Sequence, residues 1–388
     1  MRAVFLSYFF PPLQAPRAVQ VARLARHSRL PIRVLCAAGE AESPRDGVEV
    51  RVFPDRSPRW WHLAKHVLYL PDPQRPWALG VAGVAEREGL VGRDDVLVTF
   101  GQPMSDHLAG LRLKRALGMP WIAHFSDPWS DNPYLLPIPF ARAKLARMEQ
   151  MVIGAADRVL FTSAETADLV MAKYPEAWRD KVSVLPHAYD PALYGDPPPR
   201  DRGGPLLLRY LGNFYRQRNP LALAKALNLL LRTRPEILAD VRIELIGRWV
   251  GHADWTPAAL GLPENLLSLR KPVGYAESLR LMRAAEALLI IDAPFEHNVF
   301  FPSKLVDYLG AGRPLVALTP AGTTADIVTA AGGLVVSPAS EASIAEGIQR
   351  ALAALRAGLL PTPEEEVVRR YAVSRVAAEF DALVRGLA

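Results

Sequence analysis

Short apolar runs alternate along almost the whole of this chain with longer segments whose apolar residues recur every three or four positions. A short run bounded by turn residues packs as a strand buried on both faces; the longer period is that of a helix covering one face. Strand and helix in regular alternation require parallel strands joined by crossover helices, so the chain is α/β. In the first half the strand candidates are 4–9, 32–36, 48–53, 96–100, 121–125, 159–162 and 182–185. The first helix carries Ala18, Val21, Ala22 and Ala25 on one face. Pro16 suits its first turn, where the missing N–H costs nothing.

After Pro186 the character of the chain changes. Residues 190–204 are polar and proline-rich and close on Gly203-Gly204, the composition of a connection between domains. A second series comes next, with strand candidates at 206–211, 241–247, 266–269, 287–291, 315–318 and 333–336. Ser343 with Glu346 is read as the cap of a helix whose apolar face is Ile344, Ile348, Leu352 and Leu355. Pro361 and Pro363 then interrupt the chain before a helical stretch at 364–386. The 388 residues exceed one ordinary core. They are read as two Rossmann-like domains, 1–190 and 205–370, joined by a linker at 191–204.

Half of the residues are apolar and 22% are charged, a globular balance. No run of about 18 apolar residues lacks a charge, so no spanning helix is expected. The apolar start at Val4-Phe5-Leu6 is stopped by Pro11-Pro12 and is read as a strand rather than a secretion signal. Cys36 is the only cysteine, which excludes an intramolecular disulfide and fits a cytoplasmic enzyme. The formal charge of +6 suits phosphates or acidic lipid headgroups. No nucleic-acid recognition motif accompanies it, so nucleic acid is not an expected partner. The eight histidines are scattered without an H-E-x-x-H, and no metal site is expected.

Parallel sheets bind ligands at the carboxyl ends of their strands, and the motifs are weighed by that rule. The strand at 287–291 is followed by Phe301-Pro302-Ser303-Lys304-Leu305-Val306-Asp307. Ser303 is placed to cap a helix whose N–H groups face the strand end, and Lys304 adds a cation there. Asp307, one turn on, has the reach to accept from ribose hydroxyls. A capped surface helix with a solvated lysine is the plain alternative. The strand at 206–211 is followed by Gly212-Asn213-Phe214-Tyr215-Arg216-Gln217-Arg218. Glycine there permits close backbone approach, and Arg216 or Arg218 could clamp a phosphate.

In the first half, the loop from Phe9 through Pro12 to Arg17 lacks the glycines that wrap a phosphate. Without a G-x-G-x-x-G a nicotinamide dehydrogenase is disfavoured. Ser126 and Asp127 end the strand at 121–125, and Pro128 keeps Asp127 out of a helix. His124 alternates with Phe125, so one of the two faces away, and a buried structural His124 is favoured. Ser105, Asp106 and His107 come after the strand at 96–100. Sequence neighbours rarely form a nucleophile, base and orienter, and no G-x-S-x-G elbow is present. Trp60, Trp61, Tyr69 and Trp77 are interleaved with Arg59, Lys65, His66 and Arg75. That segment suits a membrane surface or a lipid-linked acceptor as well as it suits packing on its own domain.

Ser7-Tyr8-Phe9-Phe10-Pro11-Pro12, Ser126-Asp127-Pro128-Trp129, Pro186-His187-Ala188-Tyr189-Asp190, Gly212-Asn213-Phe214-Tyr215 and the run 302–314 together have a familiar order and spacing. On them the chain resembles the GT-B glycosyltransferases of family GT4 over nearly its whole length. The resemblance implies two Rossmann-like domains facing across a cleft, with a C-terminal helix at 371–388 returning to the first. It also implies retaining, metal-independent sugar transfer, with the nucleotide diphosphate-sugar as co-substrate and no other cofactor. The donor falls mainly to the second domain and the acceptor mainly to the first. Residue by residue, Gly212, Asn213, Phe214, Arg218, Ser303 and Lys304 match the donor side, Arg218 and Lys304 holding the diphosphate. Asp307 matches the ribose-binding acid of the E-x7-E motif. Pro12, Arg17, Ser105, Ser126 and Asp127 fall to the acceptor side.

The chain departs from the family pattern in four places. The first acid of E-x7-E is Val299, with Glu296 three residues earlier as a substitute. The common first-domain histidine falls near Ser126, leaving Asp127 as the polar group there. The usual Asn-Gly at the junction is His187-Ala188, and Ala15-Pro16 stand where glycines are common. Asp127, Arg218 and Lys304 are therefore the expected catalytic residues. A sugar-nucleotide epimerase of the same fold and a non-catalytic nucleotide-sugar binder are the alternatives.

Overall fold

In the computed structural model, which describes residues 1–13, 15–39, 45–56, 71–135, 139–195, 203–251 and 255–387, the apolar runs form two large parallel sheets. The chain divides into one unit of Met1–Ala188 with Val373–Ala388, and a second of Tyr189–Ala372.

The first unit contains β1 (Ala3–Leu6), β2 (Ile32–Cys36), β3 (Val48–Val52), β4 (Val96–Gly101), β5 (Trp121–Phe125), β6 (Arg158–Phe161) and β7 (Val182–Val184). Their order in the sheet is β3-β2-β1-β4-β5-β6-β7, and every pair is parallel. The direction of winding reverses between β1 and β4. Helices α1 (Pro16–His27), α2 (Arg75–Arg87), α3 (Ser105–Leu117), α4 (Pro139–Ala155) and α5 (Ala164–Met171) make the crossovers. Alternate strand residues supply two cores: Phe5, Val34, Val98 and Ile122 on one face, Val4, Leu6, Leu97 and Trp121 on the other. Strand β1 stops at Leu6, short of the expected 4–9, because the Tyr8 N–H turns to the Asp106 carboxylate (2.9 Å) instead of a neighbouring strand.

The second unit contains β8 (Leu206–Leu211), β9 (Phe214–Tyr215), β10 (Val241–Ile246), β11 (Trp249–Val250), β12 (Leu267–Arg270), β13 (Ala287–Ile291), β14 (Leu315–Leu318) and β15 (Leu334–Val336). The main sheet runs β12-β10-β8-β13-β14-β15, again parallel, and reverses between β8 and β13. Strands β9 and β11 form a small parallel pair too short for periodicity to reveal. The helices are α6 (Leu221–Thr233), α7 (Tyr275–Arg283), α8 (Ser303–Ala311), α9 (Thr323–Ala330), α10 (Glu341–Arg356) and α11 (Glu365–Arg370), followed in the first unit by α12 (Val373–Arg385).

Several local expectations are corrected. Ser340, not Ser343, caps α10: its hydroxyl accepts from Ser343 N (3.0 Å), while the Ser343 hydroxyl accepts from Ser340 N. Serine at the third helical position thus fills the role expected of glutamate. The stretch 364–386 is two helices, broken where Tyr189 N donates to the Tyr371 carbonyl (2.9 Å). Tyr189 and Asp190, read with the first domain, belong to the second unit, since Tyr189 packs in the core around Leu305 and Tyr308. Pro191–Leu193, within the expected linker, is a short 3-10 turn, and 196–202 lie outside the described residues. Helix α12 completes the first unit. Phe380 sets its ring edge-on to Phe5 (5.5 Å), and Asp381 accepts from the Ser28 hydroxyl (2.6 Å) and Arg29 N (2.8 Å). Among the described residues no helix is long and apolar enough to cross a membrane. The aromatic and basic residues Arg59, Trp60, Trp61, Lys65, His66 and Tyr69 lie outside the described residues. Trp77 is buried, its Nε1 donating to the Phe53 carbonyl (2.6 Å).

Candidate functional site

An open parallel sheet leaves a crevice at the carboxyl ends of the strands where winding reverses. In the second unit that place lies beyond β8 and β13, and cations occupy it. Asp292, directly after β13, accepts from Arg218 Nη2 (3.0 Å) with its side chain 1% exposed. Lys304, in the first turn of α8, lays its Nζ 3.6 Å from the centre of the Tyr210 ring. Among the described residues no acceptor meets that Nζ, although it is buried. Burial first, and the Arg218 guanidinium second, push the ammonium well below the usual lysine range, while Asp292 opposes them. A buried cation without an acceptor costs free energy, and such costs gather at sites where a ligand supplies the partner.

Gly212 makes the approach possible. A Cβ there would stand 3.3 Å from Lys304 Nζ and from the Tyr210 hydroxyl. Gly247, after β10, packs against the Gly212 carbonyl so closely that its own Cβ would overlap the oxygen. Arg216 adopts φ 50° in the two-residue turn closed by Tyr215 and Arg218, a left-handed conformation uncommon outside glycine and asparagine.

The other donor-side residues separate. Ser303 does not cap α8: Pro302 precedes the helix, no side-chain cap bond is made, and Ser303 is the first helical residue. The Phe214 ring is fully buried, stacked between Tyr210 (4.3 Å) and Trp249 (4.8 Å), and supports the floor of the site. Asn213 is exposed, its Oδ1 accepting from Arg248 N (3.2 Å). Asp307 is buried one turn beyond Lys304 and turns to α7, accepting from the Tyr275 hydroxyl (2.8 Å). Glu296 is exposed and Val299 buried. Between them lies Asn298, 2% exposed, which donates to Asp292 (2.8 Å). Asp292 and Asn298 were missed by sequence reasoning. A lone acid directly after a fully apolar strand is the signal that could have found the first.

The corresponding place in the first unit, beyond β1 and β4, also holds a cation. Arg17 is buried, its guanidinium donating to the Gly101 carbonyl and meeting His124 Nδ1 at 3.2 Å. Burial lowers Arg17 to about 10, with Asp127 and Asp106 opposing. His124 faces this group while Phe125 joins the opposite core, as their alternation requires. His107 and His187 are both pushed to about 3, by burial first and Arg17 second. Asp106 is driven well above the usual carboxyl range, chiefly by burial. A small cavity of about 20 Å³ lies among Arg17, Phe100, His124 and His187. Asp127, half-buried, accepts from Gln102 Nε2 and the Ser126 hydroxyl, both at 3.2 Å. Pro12 is exposed. Ser105 is buried with its N–H on Asp72 (2.9 Å), while His107 Nδ1 meets Thr99 Oγ1 (2.8 Å). Ser105, Asp106 and His107 thus face different partners and form no hydrolytic triad.

This geometry can be set beside known proteins. A family model described as a glycosyl transferase 4-like domain matches residues 14–188. HepE of Anabaena, solved in complex with UDP and glucose, superposes with a TM-score of 0.72 at 16% identity, covering 100% of both chains. Sucrose-phosphate synthase from Thermosynechococcus elongatus superposes with a TM-score of 0.75 at 13% identity, over 100% of this chain and 99% of that one. Residues 14–188 are thus GT4-like, and the fold of the chain is GT-B. D-inositol 3-phosphate glycosyltransferase of Arthrobacter sp. is 26% identical over 244 residues. The match covers 59% of this chain and 56% of that relative, so the chain spans little more than half of the relative's length.

Proposed function

We infer that the chain is a glycosyltransferase that moves a sugar from a nucleotide diphosphate-sugar to an acceptor hydroxyl. One observation carries the reading: Arg218 and buried Lys304 converge where winding reverses in the second unit, and among the described residues no acceptor meets the Lys304 Nζ. The UDP and UDP-glucose held by Anabaena HepE, of the same fold, support a nucleotide-sugar as that ligand. In the transition state the bond from the anomeric carbon to the phosphate oxygen breaks while one forms to the acceptor oxygen. The two cations stabilise the leaving diphosphate in place of a metal ion. The acceptor enters on the face from which the phosphate leaves, so configuration is retained and a departing phosphate oxygen takes the acceptor proton, while Asp127 orients the acceptor. The acceptor side is assigned to Arg17, Ser126 and Asp127 of the first unit. The protein works in the cytoplasm, with a lipid-linked acceptor at the inner membrane face as one substrate class.

A thermal-shift panel of UDP, GDP, ADP and dTDP identifies the donor nucleotide, since a ligand of the native state raises its stability. With the matching sugar donor, Arg218→Ala and Lys304→Ala each lower turnover by roughly a hundredfold or more. Unchanged turnover in both variants would remove these residues from the mechanism. Conversion of the donor without an acceptor would instead identify an epimerase, and binding without turnover a nucleotide-sugar binder.

A further inference from the structure

Arg218 is a long side chain in a turn, and a cation on a turn does not by itself hold one position. Asp292 holds it. One carboxylate oxygen of Asp292 accepts from Arg218 Nη2 (3.0 Å); the other accepts from Asn298 Nδ2 (2.8 Å) and Thr319 Oγ1 (3.0 Å). Asn298 is itself fixed. Its amide also donates to Thr324 Oγ1 (3.0 Å), its Oδ1 accepts from Phe300 N (3.1 Å), and its backbone N donates to the Ala321 carbonyl (2.8 Å). Gly322 runs so close that a Cβ there would overlap the Asn298 carbonyl. A carboxylate bonded on both oxygens within such a frame has one orientation, and it passes that orientation to the guanidinium. It also lies close enough to Lys304 to oppose the effect of Arg218 on that ammonium.

We propose that Asp292, set by Asn298 and Thr319, is the positioning residue of the donor site: it orients Arg218 and serves as counter-ion between the two cations until a nucleoside diphosphate brings its own charge. This rests on the donor reading above, and it adds a residue that touches no substrate. The test is a cycle of UDP affinities for the full chain and for Asp292→Asn, Arg218→Ala and the double variant, with GDP, ADP or dTDP in place of UDP if the panel selects one of them. Residues acting through one another give non-additive losses. Asp292→Asn weakens binding about tenfold in the parent chain and less than twofold once Arg218 is alanine, as a shared pathway requires. Thr319→Val, which leaves the carboxylate in place, gives a smaller loss with the same dependence on Arg218. Thermal midpoints of all variants separate lost binding from lost folding. Equal losses in both backgrounds, or unchanged or tighter binding by Asp292→Asn, would overturn the inference. No binding of any nucleoside diphosphate to the parent chain would overturn the donor reading itself.

Discussion

Lys304 shows how a single residue can be placed against its own preference. Its ammonium is buried with Arg218 nearby, and its folded pKa lies well below the ordinary value. Between that depressed value and about 10.4 the unfolded chain binds the extra proton, so stability is lost as pH falls through the window and the penalty is complete below it. Lys304→Met keeps the stem and removes the charge. The unliganded protein should therefore melt about 2 °C higher or more at neutral pH, with the gain shrinking in alkali. Differential scanning calorimetry at pH 7 and pH 10 checks it, and a lower midpoint at pH 7 would contradict the account of Lys304 as a strained cation. The first unit obeys the same rule through its imidazoles. His107 and His187 titrate near 3 when folded against about 6.5 unfolded, and His124 is lowered too. Each contributes stability that is complete above about pH 6.5 and is lost as pH falls toward 3. Asp72 and Asp106, raised by burial, act in the opposite sense, and the three imidazoles outnumber them. Urea unfolding at pH 7 and pH 5 should show the loss, and His187→Asn should make it smaller.

At the scale of elements, the site depends on how tightly strand ends pass one another. The carbonyl of Gly212, after β8, lies within van der Waals overlap of any side chain at Gly247, after β10. Both turns lead into the β9–β11 pair beneath Arg218. Gly247→Ala must displace the Gly212 turn and should cost about 3 kcal/mol or more, among the larger effects of single substitutions. Chemical denaturation measures that cost. Nucleotide binding should weaken with it, because the displaced turn carries the arginine, and a neutral substitution would show that the two backbones are not packed as described. Helix α10 is capped by an exposed Ser340–Ser343 box, whose loss should cost about 1 kcal/mol of stability, and Ser340 also lines the cavity that Asp292 borders.

The chain forms two units, and its last segment returns to the first. Helix α12 comes after the second unit in sequence yet completes the first, burying Phe380 against Phe5 and pairing Asp381 with Ser28. A fully buried phenylalanine alone is worth about 2–3 kcal/mol. Removing residues 373–388 should therefore unfold the first unit while leaving the second cooperative. Proteolysis with mass mapping would then find cuts in Met1–Ala188 and protection across Tyr189–Ala372. Cleavage spread equally over both would refute the assignment.

Periodicity was enough to read two parallel α/β sheets, because a strand buried on both faces must be apolar throughout and a crossover helix must be apolar on one side. The motifs after β8 and β13 were legible for the same reason: the residues just past an apolar strand lie at its carboxyl end. Periodicity carries no information about which strand ends become neighbours. Pairing β8 with β13 is a long-range choice made by the packed sheet, and only it joins Arg218 to Asp292 across 74 positions and leaves Lys304 without an acceptor among the described residues. The same applies to Ser303, Phe214 and Asp307, whose letters suited a ligand but whose surroundings assign one to a helix start, one to the core and one to Tyr275. Local sequence dictates the elements through short-range sterics and burial; the charge balance of the site arises from contacts that exist only once the sheet is assembled.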